Sequence, residues 1–280
     1  MHLHLYFLEL RNRMSEIREI EFIDSHCHLD YEQLSNDLQS IIKRAKEFNV
    51  NKLITICTSL EEIKKIEAIS SEYNFIWHTA GIHPHKASID KFAKNFNLIN
   101  KNCEHKKCVG VGEAGLDYYY DFALKKDQID SFETQINVSQ SIRKPIVIHS
   151  RDADKDMEEI LMSKYKEKSF SGVLHCFTGS KQLAKVALDI GLYISFSGIV
   201  TFKNSSELQE IASYVPSDRY LVETDSPFLS PVPFRGKINE PKNVYFIAKF
   251  ISNLRKISID LVSQQTYQNT LNLFSNMRNK

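Results

Sequence analysis

The sequence predicts an α/β fold, a single-domain (β/α)8 TIM barrel. Three observations carry this. Eight short apolar runs alternate with amphipathic stretches along most of the chain. The runs are rich in Val, Ile and Phe without strict alternation, as strands covered on both faces should be. The length, 280 residues, suits a barrel of about 250 residues. An open doubly wound sheet is the alternative, but eight consecutive strand–helix units favour closure.

In chain order, the first run is EFIDSHCHL. Asn36 and Asp37 then signal a helix start, and Leu38, Ile41, Ile42, Ala45 and Phe48 recur at helical spacing. NKLITICTS, NFIWHTAGI, CVGVGEAGL and KPIVIHS follow as runs two to five. After the sixth, SGVLHCFTG, come Leu183, Val186, Ala187 and Ile190. After the seventh, LYISFSGIV, come Leu208, Ile211, Ala212 and Val215. The eighth is RYLVETDSP; Val244, Ile247, Ala248 and Ile251 begin a helix after it, and 261–274 reads as another. All nine glycines lie between Gly81 and Gly236, mostly at strand ends, where backbone turns sharply or approaches another group. No linker interrupts the pattern. We divide the chain into an amino-terminal appendage, 1–21, and a barrel, 22–280.

Lysine and arginine (36) nearly balance aspartate and glutamate (35), leaving a net charge of +1. Global charge therefore argues neither for nor against nucleic acid. No apolar run approaches the roughly 18 residues of a membrane span, so no membrane partner is expected. The opening MHLHLYFLELRNRM lacks a basic start and a small-residue cleavage site and does not read as a signal peptide; Met14 is a possible second start. Five cysteines in no framework spacing predict a reducing, cytoplasmic setting. We expect a monomer.

Reactive groups of such a barrel gather at the C-terminal ends of its strands. Polar residues collect there: His26 and His28 on strand one, His83 and His85 on three, Glu113 and Asp117 on four. His149 and Arg151 end strand five, His175 strand six, and Glu223 and Asp225 strand eight. The spacing of His26 and His28 points both imidazoles to one side of a strand and Cys27 to the other. Two inward histidines in an apolar floor are costly unless paired, and a metal satisfies them. Four histidines with two or three carboxylates offer about seven donors, more than one tetrahedral ion needs. Two ions sharing a carboxylate fit better, with Glu113 as the candidate bridge. Each piece alone has a plainer reading: strand polars, core histidines, a helix cap at Asp225. Their coincidence at strand ends favours the metal.

Other motifs carry less. Cys103, His105 and Cys108 spell CxHxxC but lack a fourth nearby ligand. Ser150 lacks an oxyanion motif. His2 and His4 repeat the HxH spelling without a strand. Tyr118, Tyr119 and Tyr120 suit base stacking or loop packing equally.

With these residues laid out, the chain resembles the TatD family of metal-dependent DNases, over about 22–274. FIDSHCHLD, GIHPH, VGEAGLDYYYD, PIVIHSRDAD, GVLHCFTGS and LVETDSPFLSP carry the resemblance, with YISFSGIVTFKN and RGKINEP. It implies that His26, His28, Glu113 and Asp225 hold one divalent ion, and Glu113, His149 and His175 a second. It also implies DNase activity, commonly 3′→5′ exonuclease action, with Mg2+, Mn2+ or similar ions; mixed histidine and carboxylate ligands suit Zn2+ as well. Ser226, Phe234 and Ile238 depart from the family's usual residues.

The mechanism expected is metal-assisted phosphodiester hydrolysis. Asp225 would orient the water or take its proton, and Glu223 would hold a ligand histidine. His83 and Arg151 would bind phosphate, and Tyr118 would stack on a base or sugar. DNA single strands or 3′ ends are the expected substrate. The alternatives are a two-metal amide or ester hydrolase, including aminoacyl esters, and a non-catalytic binding barrel.

Overall fold

The computed structural model describes residues 20–278. Met14, His2 and His4, and the appendage up to residue 19, lie outside the described residues. Glu21 is tied to the barrel: its N–H donates to Ser263 Oγ, and its carboxylate accepts from Asn51.

Eight parallel strands form one sheet in sequence order. They are β1 (Phe22–Cys27), β2 (Val50–Thr55), β3 (Ile76–Ala80), β4 (Cys108–Asp117), β5 (Ile146–Arg151), β6 (Gly172–Leu174), β7 (Tyr193–Phe196) and β8 (Tyr220–Val222). The outer helices are α1 (Leu38–Glu47), α2 (Ile63–Glu72), α3 (Phe96–Asn102), α4 (Lys125–Ile142), α5 (Asp154–Glu167), α6 (Lys181–Asp189), α7 (Ser206–Tyr214), α8 (Val244–Arg255) and α9 (Ile259–Leu273). Closure comes at the C-terminal end of the strands. There Asp225 N–H donates to His26 O (2.9 Å) and His28 N–H to Ser226 O (2.8 Å).

The core has two layers. Between sheet and helices lie residues such as Phe22, Cys27, Leu53, Ile148 and Ile194. Inside the barrel, each strand contributes one apolar residue: Ile23, Ile54, Trp77, Val109, Val147, Val173, Tyr193 and Leu221. Leu273, Phe274 and Met277, from the end of the chain, pack against that layer. This fills the barrel below the site and leaves one end for chemistry.

The helix α4 carries no clean apolar stripe in sequence because it buries Gln128, Ser131, Gln135 and Ser139. Two of these do structural work at strand ends. Gln135 accepts from Ile82 N–H and donates back to Ile82 O (both 2.9 Å), fixing the GIHPH loop. Gln128 accepts from Asp117 N–H (2.8 Å) and donates to Asp117 O (3.0 Å), capping β4.

Candidate metal centre

Local irregularities aim the site residues. Pairing of β1 with β2 slips between Asp24 and Cys27, and pairing of β4 with β5 slips between Val111 and Ala114. Such bulges re-aim side chains next to active sites. Here they turn His26 and Glu113 to one point, while Cys27 stays in the sheet–helix core and donates to Ile54 O. Asp225 follows β8 in the left-handed region (φ 55°), a conformation that aspartate tolerates. Asp24, a residue the sequence reading passed over, locks these segments together. It is fully buried and accepts from Thr224 N–H (2.9 Å) and Thr224 Oγ–H (2.5 Å).

Glu113 is buried at the centre, and its two oxygens face different groups. Oε2 lies 3.4 Å from His26 Nε2 and 4.0 Å from His28 Nε2. Asp225 Oδ1 completes that group, 3.5 Å from His26 Nε2 and 3.3 Å from His28 Nε2. The two histidine Nε2 atoms are themselves 3.3 Å apart. Metal–nitrogen bonds of about 2.0–2.1 Å in a tetrahedron place ligand atoms roughly 3.3–3.4 Å apart, so this spacing fits one ion. Oε1 of Glu113 meets His175 Nε2 (2.7 Å), His149 Nδ1 (2.9 Å) and His83 Nε2 (3.4 Å). On that side the donors are drawn to hydrogen-bond distance and would open slightly around an ion. Among the described residues, three groups bring ligand atoms within 4.8 Å of one another: His26–His28–Asp225, His26–Glu113–His175 and His83–Glu113–His149. His83, expected at a phosphate, therefore also stands among the atoms that could hold an ion.

Outer carboxylates orient the histidines. Glu223 Oε1 lies 3.2 Å from His175 Nδ1 and accepts from Cys176 N–H at 2.7 Å. Asp117 does the same for two rings: its Oδ2 is 3.0 Å from His149 Nε2 and 2.9 Å from His85 Nε2. His26 stacks flat on His175, with centroids 3.8 Å apart and planes at 9°.

Burial and pairing compete over protonation. Burial pushes Glu113 up, but the His175 and His83 charges and the His149 and His175 hydrogen bonds hold it well below the usual carboxylate range. For Asp225 burial also pushes up, and the His28 hydrogen bond with the His26 and His28 charges brings it below normal. Burial drives His83 down to about 4, against the pull of Glu113. Its Nδ1 accepts from His85 N–H (3.1 Å), which leaves the proton on Nε2, facing Glu113.

The centre opens into a cavity of about 750 Å3 whose lining includes His28, His83, Glu113, His149, His175 and Asp225. Arg151 lines it too, its guanidinium 3.9 Å from the Tyr119 ring centroid. The stacking role expected of Tyr118 needs correction. Its ring turns towards α5, where its hydroxyl donates to Asp156 (2.7 Å), and Tyr119 and Tyr120 line the cavity instead. Tyr31, which no sequence signal marked, stacks on His28 at 4.9 Å. Among the described residues, Cys103, His105 and Cys108 do not assemble a metal-capable group; both thiols are buried, and His105 Nδ1 pairs with His78 Nε2 (2.9 Å).

Comparison with known proteins gives consistent matches. The sequence model of a family described as TatD related DNase matches residues 23–275. The chain is 38% identical over 251 residues to a Bacillus subtilis protein named as the uncharacterized metal-dependent hydrolase YabD, covering 90% of this chain and 98% of that one. It is 30% identical over 256 residues to a Klebsiella pneumoniae protein named 3′-5′ ssDNA/RNA exonuclease TatD, covering 90% and 97%. Among solved structures, the TatD homolog YJJV of Escherichia coli superposes with a TM-score of 0.82 at 26% identity, covering 91% of this chain and 98% of that one.

Proposed function

Because this chain belongs to the TatD-related DNase family of metal-dependent hydrolases, we propose that it hydrolyses DNA phosphodiester bonds, working 3′→5′ on single strands or frayed ends. The observation that carries the reading is Glu113, whose two oxygens face separate groups of histidines. His26, His28 and Asp225 would hold one divalent ion and His149 and His175 the other, with Glu113 between them. When bound, such ions make water acidic enough to serve as nucleophile and neutralise charge on phosphoryl oxygens.

The chain's own residues do the rest. Asp225, below its usual protonation range, is an anion that can orient the water and accept its proton. His83 and Arg151 line the cavity, where both can bind phosphate oxygens. Glu223 and Asp117 keep His175 and His149 in place. Phosphate contacts are blind to sequence, so little sequence preference is expected. All five cysteines are free thiols, which suits a cytoplasmic setting, and no helix of the described residues is long and apolar enough to cross a membrane. The reading takes the protein as a monomer.

The test is hydrolysis of a 3′-labelled single strand across Mg2+, Mn2+ and Zn2+, run beside amide and ester panels. Stepwise shortening from the 3′ end supports the proposal. Turnover of the amide or ester panel with an intact strand would transfer the site to the rival chemistry.

A further inference from the structure

One lip of the cavity carries a feature that ion binding does not use. Tyr119, Tyr120 and Phe122 are 56%, 40% and 60% exposed. A contiguous patch of exposed rings beside a cavity marks an interaction site. The backbone that carries them is tied down. Asp117 Oδ1 accepts from the N–H groups of both Tyr119 (3.1 Å) and Tyr120 (3.2 Å). The other oxygen of the same carboxylate pairs with His149 and His85, so the lip is keyed to the floor of the site. Arg151 lies on Tyr119 at 3.9 Å and 5.0 Å from Tyr120. Tyr120 stacks on Phe122 at 5.2 Å with planes at 25°, and His85 sets its edge against Tyr120 at 5.4 Å.

We propose that Tyr119 and Tyr120, braced by Arg151, form a stacking platform for an unpaired nucleobase of the strand whose backbone occupies the site. The inference rests on the nuclease reading and deepens it. The lip interleaves rings with a guanidinium at the mouth of the site, the composition that takes a base and its phosphate together. Lys86 lines the same cavity and adds charge for the backbone. Any base has a face to offer, so the platform is indifferent to sequence. A base inside a duplex has both faces covered, so the platform selects single strands.

The test uses the full chain with Mg2+ and single strands protected by 3′ phosphorothioate linkages, each carrying 2-aminopurine at one of successive positions. Wild type should quench the fluorescence at one or two adjacent positions near the 3′ end. Tyr119→Leu with Tyr120→Leu should abolish that quench and weaken binding about tenfold or more, while Tyr119→Phe with Tyr120→Phe keeps both. No strand binding by wild type, binding without quench at every position, or a full quench in the folded leucine variant would each overturn the platform. If the leucine pair does not fold, the position scan on wild type still decides. Hydrolysis of the unprotected strand is scored separately, so its failure sinks the nuclease reading and leaves the quench to speak for stacking.

Discussion

His175 Nε2 lies 2.7 Å from Glu113 Oε1, while the opposite oxygen of that carboxylate faces His26 Nε2 at 3.4 Å. One buried side chain thus joins the donors on β5 and after β6 to those of β1 and the segment after β8. The strands are far apart in sequence, and the barrel alone brings them together.

Removing a donor should remove an ion. His26→Ala and Asp225→Ala are expected to lower the hydrolysis rate by several orders of magnitude and to reduce the divalent metal retained per chain. Rates on labelled single strand and elemental analysis of dialysed protein check the two together. Near-normal activity in either variant would sink the assignment.

The outer carboxylates should matter less, and measurably. Glu223→Gln and Asp117→Asn keep shape but weaken the hold on His175 and His149. Each should cost about 10–100-fold in metal affinity or activity. Metal titration by calorimetry separates this from misfolding, because added metal should recover much of the lost rate.

Gly115 sits at φ +146°, and a Cβ there would stand 2.0 Å from His149 O. Gly115→Ala should therefore wedge β4 from β5 and pull His149 from Glu113. The expected outcome is a lower melting temperature together with loss of metal binding. A variant as stable and as active as wild type would show that this contact does not set the strand spacing.

Stability should fall on mild acidification for a reason outside the site. Burial holds His78 down to about 4 from an ordinary 6.5, only partly offset by its hydrogen bond to Thr79 O. The unfolded chain takes up a proton that the folded chain refuses. Stability is thus full above pH 6.5 and declines towards pH 4, where the loss levels off. The shift corresponds to about 3 kcal/mol. Urea unfolding at about pH 7 and about pH 5 should show a smaller drop in His78→Gln than in wild type.

Much of this was legible in sequence because parallel strands covered on both faces leave continuous apolar runs. Each of the eight runs overlaps its strand, five enclosing it and those of β2, β4 and β5 missing one end residue, and the HxH, Glu113, His149, His175 and Asp225 positions follow from strand ends. The helices between β2 and β6 were less legible, since α4 turns Gln128 and Gln135 inward to serve backbone at strand ends. The slips in β1 and β4 leave no composition signal; they show only in the pairing. Side-chain direction past a strand end is likewise unreadable, which is why Tyr118 was expected where Tyr119 and Tyr120 stand. Asp24 was invisible for another reason. Its partner Thr224 is 200 residues away.

The most direct test is anomalous diffraction from crystals grown with Mn2+. The account predicts two peaks flanking Glu113, one bounded by His26, His28 and Asp225, the other by His149 and His175. A single peak, or peaks that leave Glu113 uncoordinated, would contradict it.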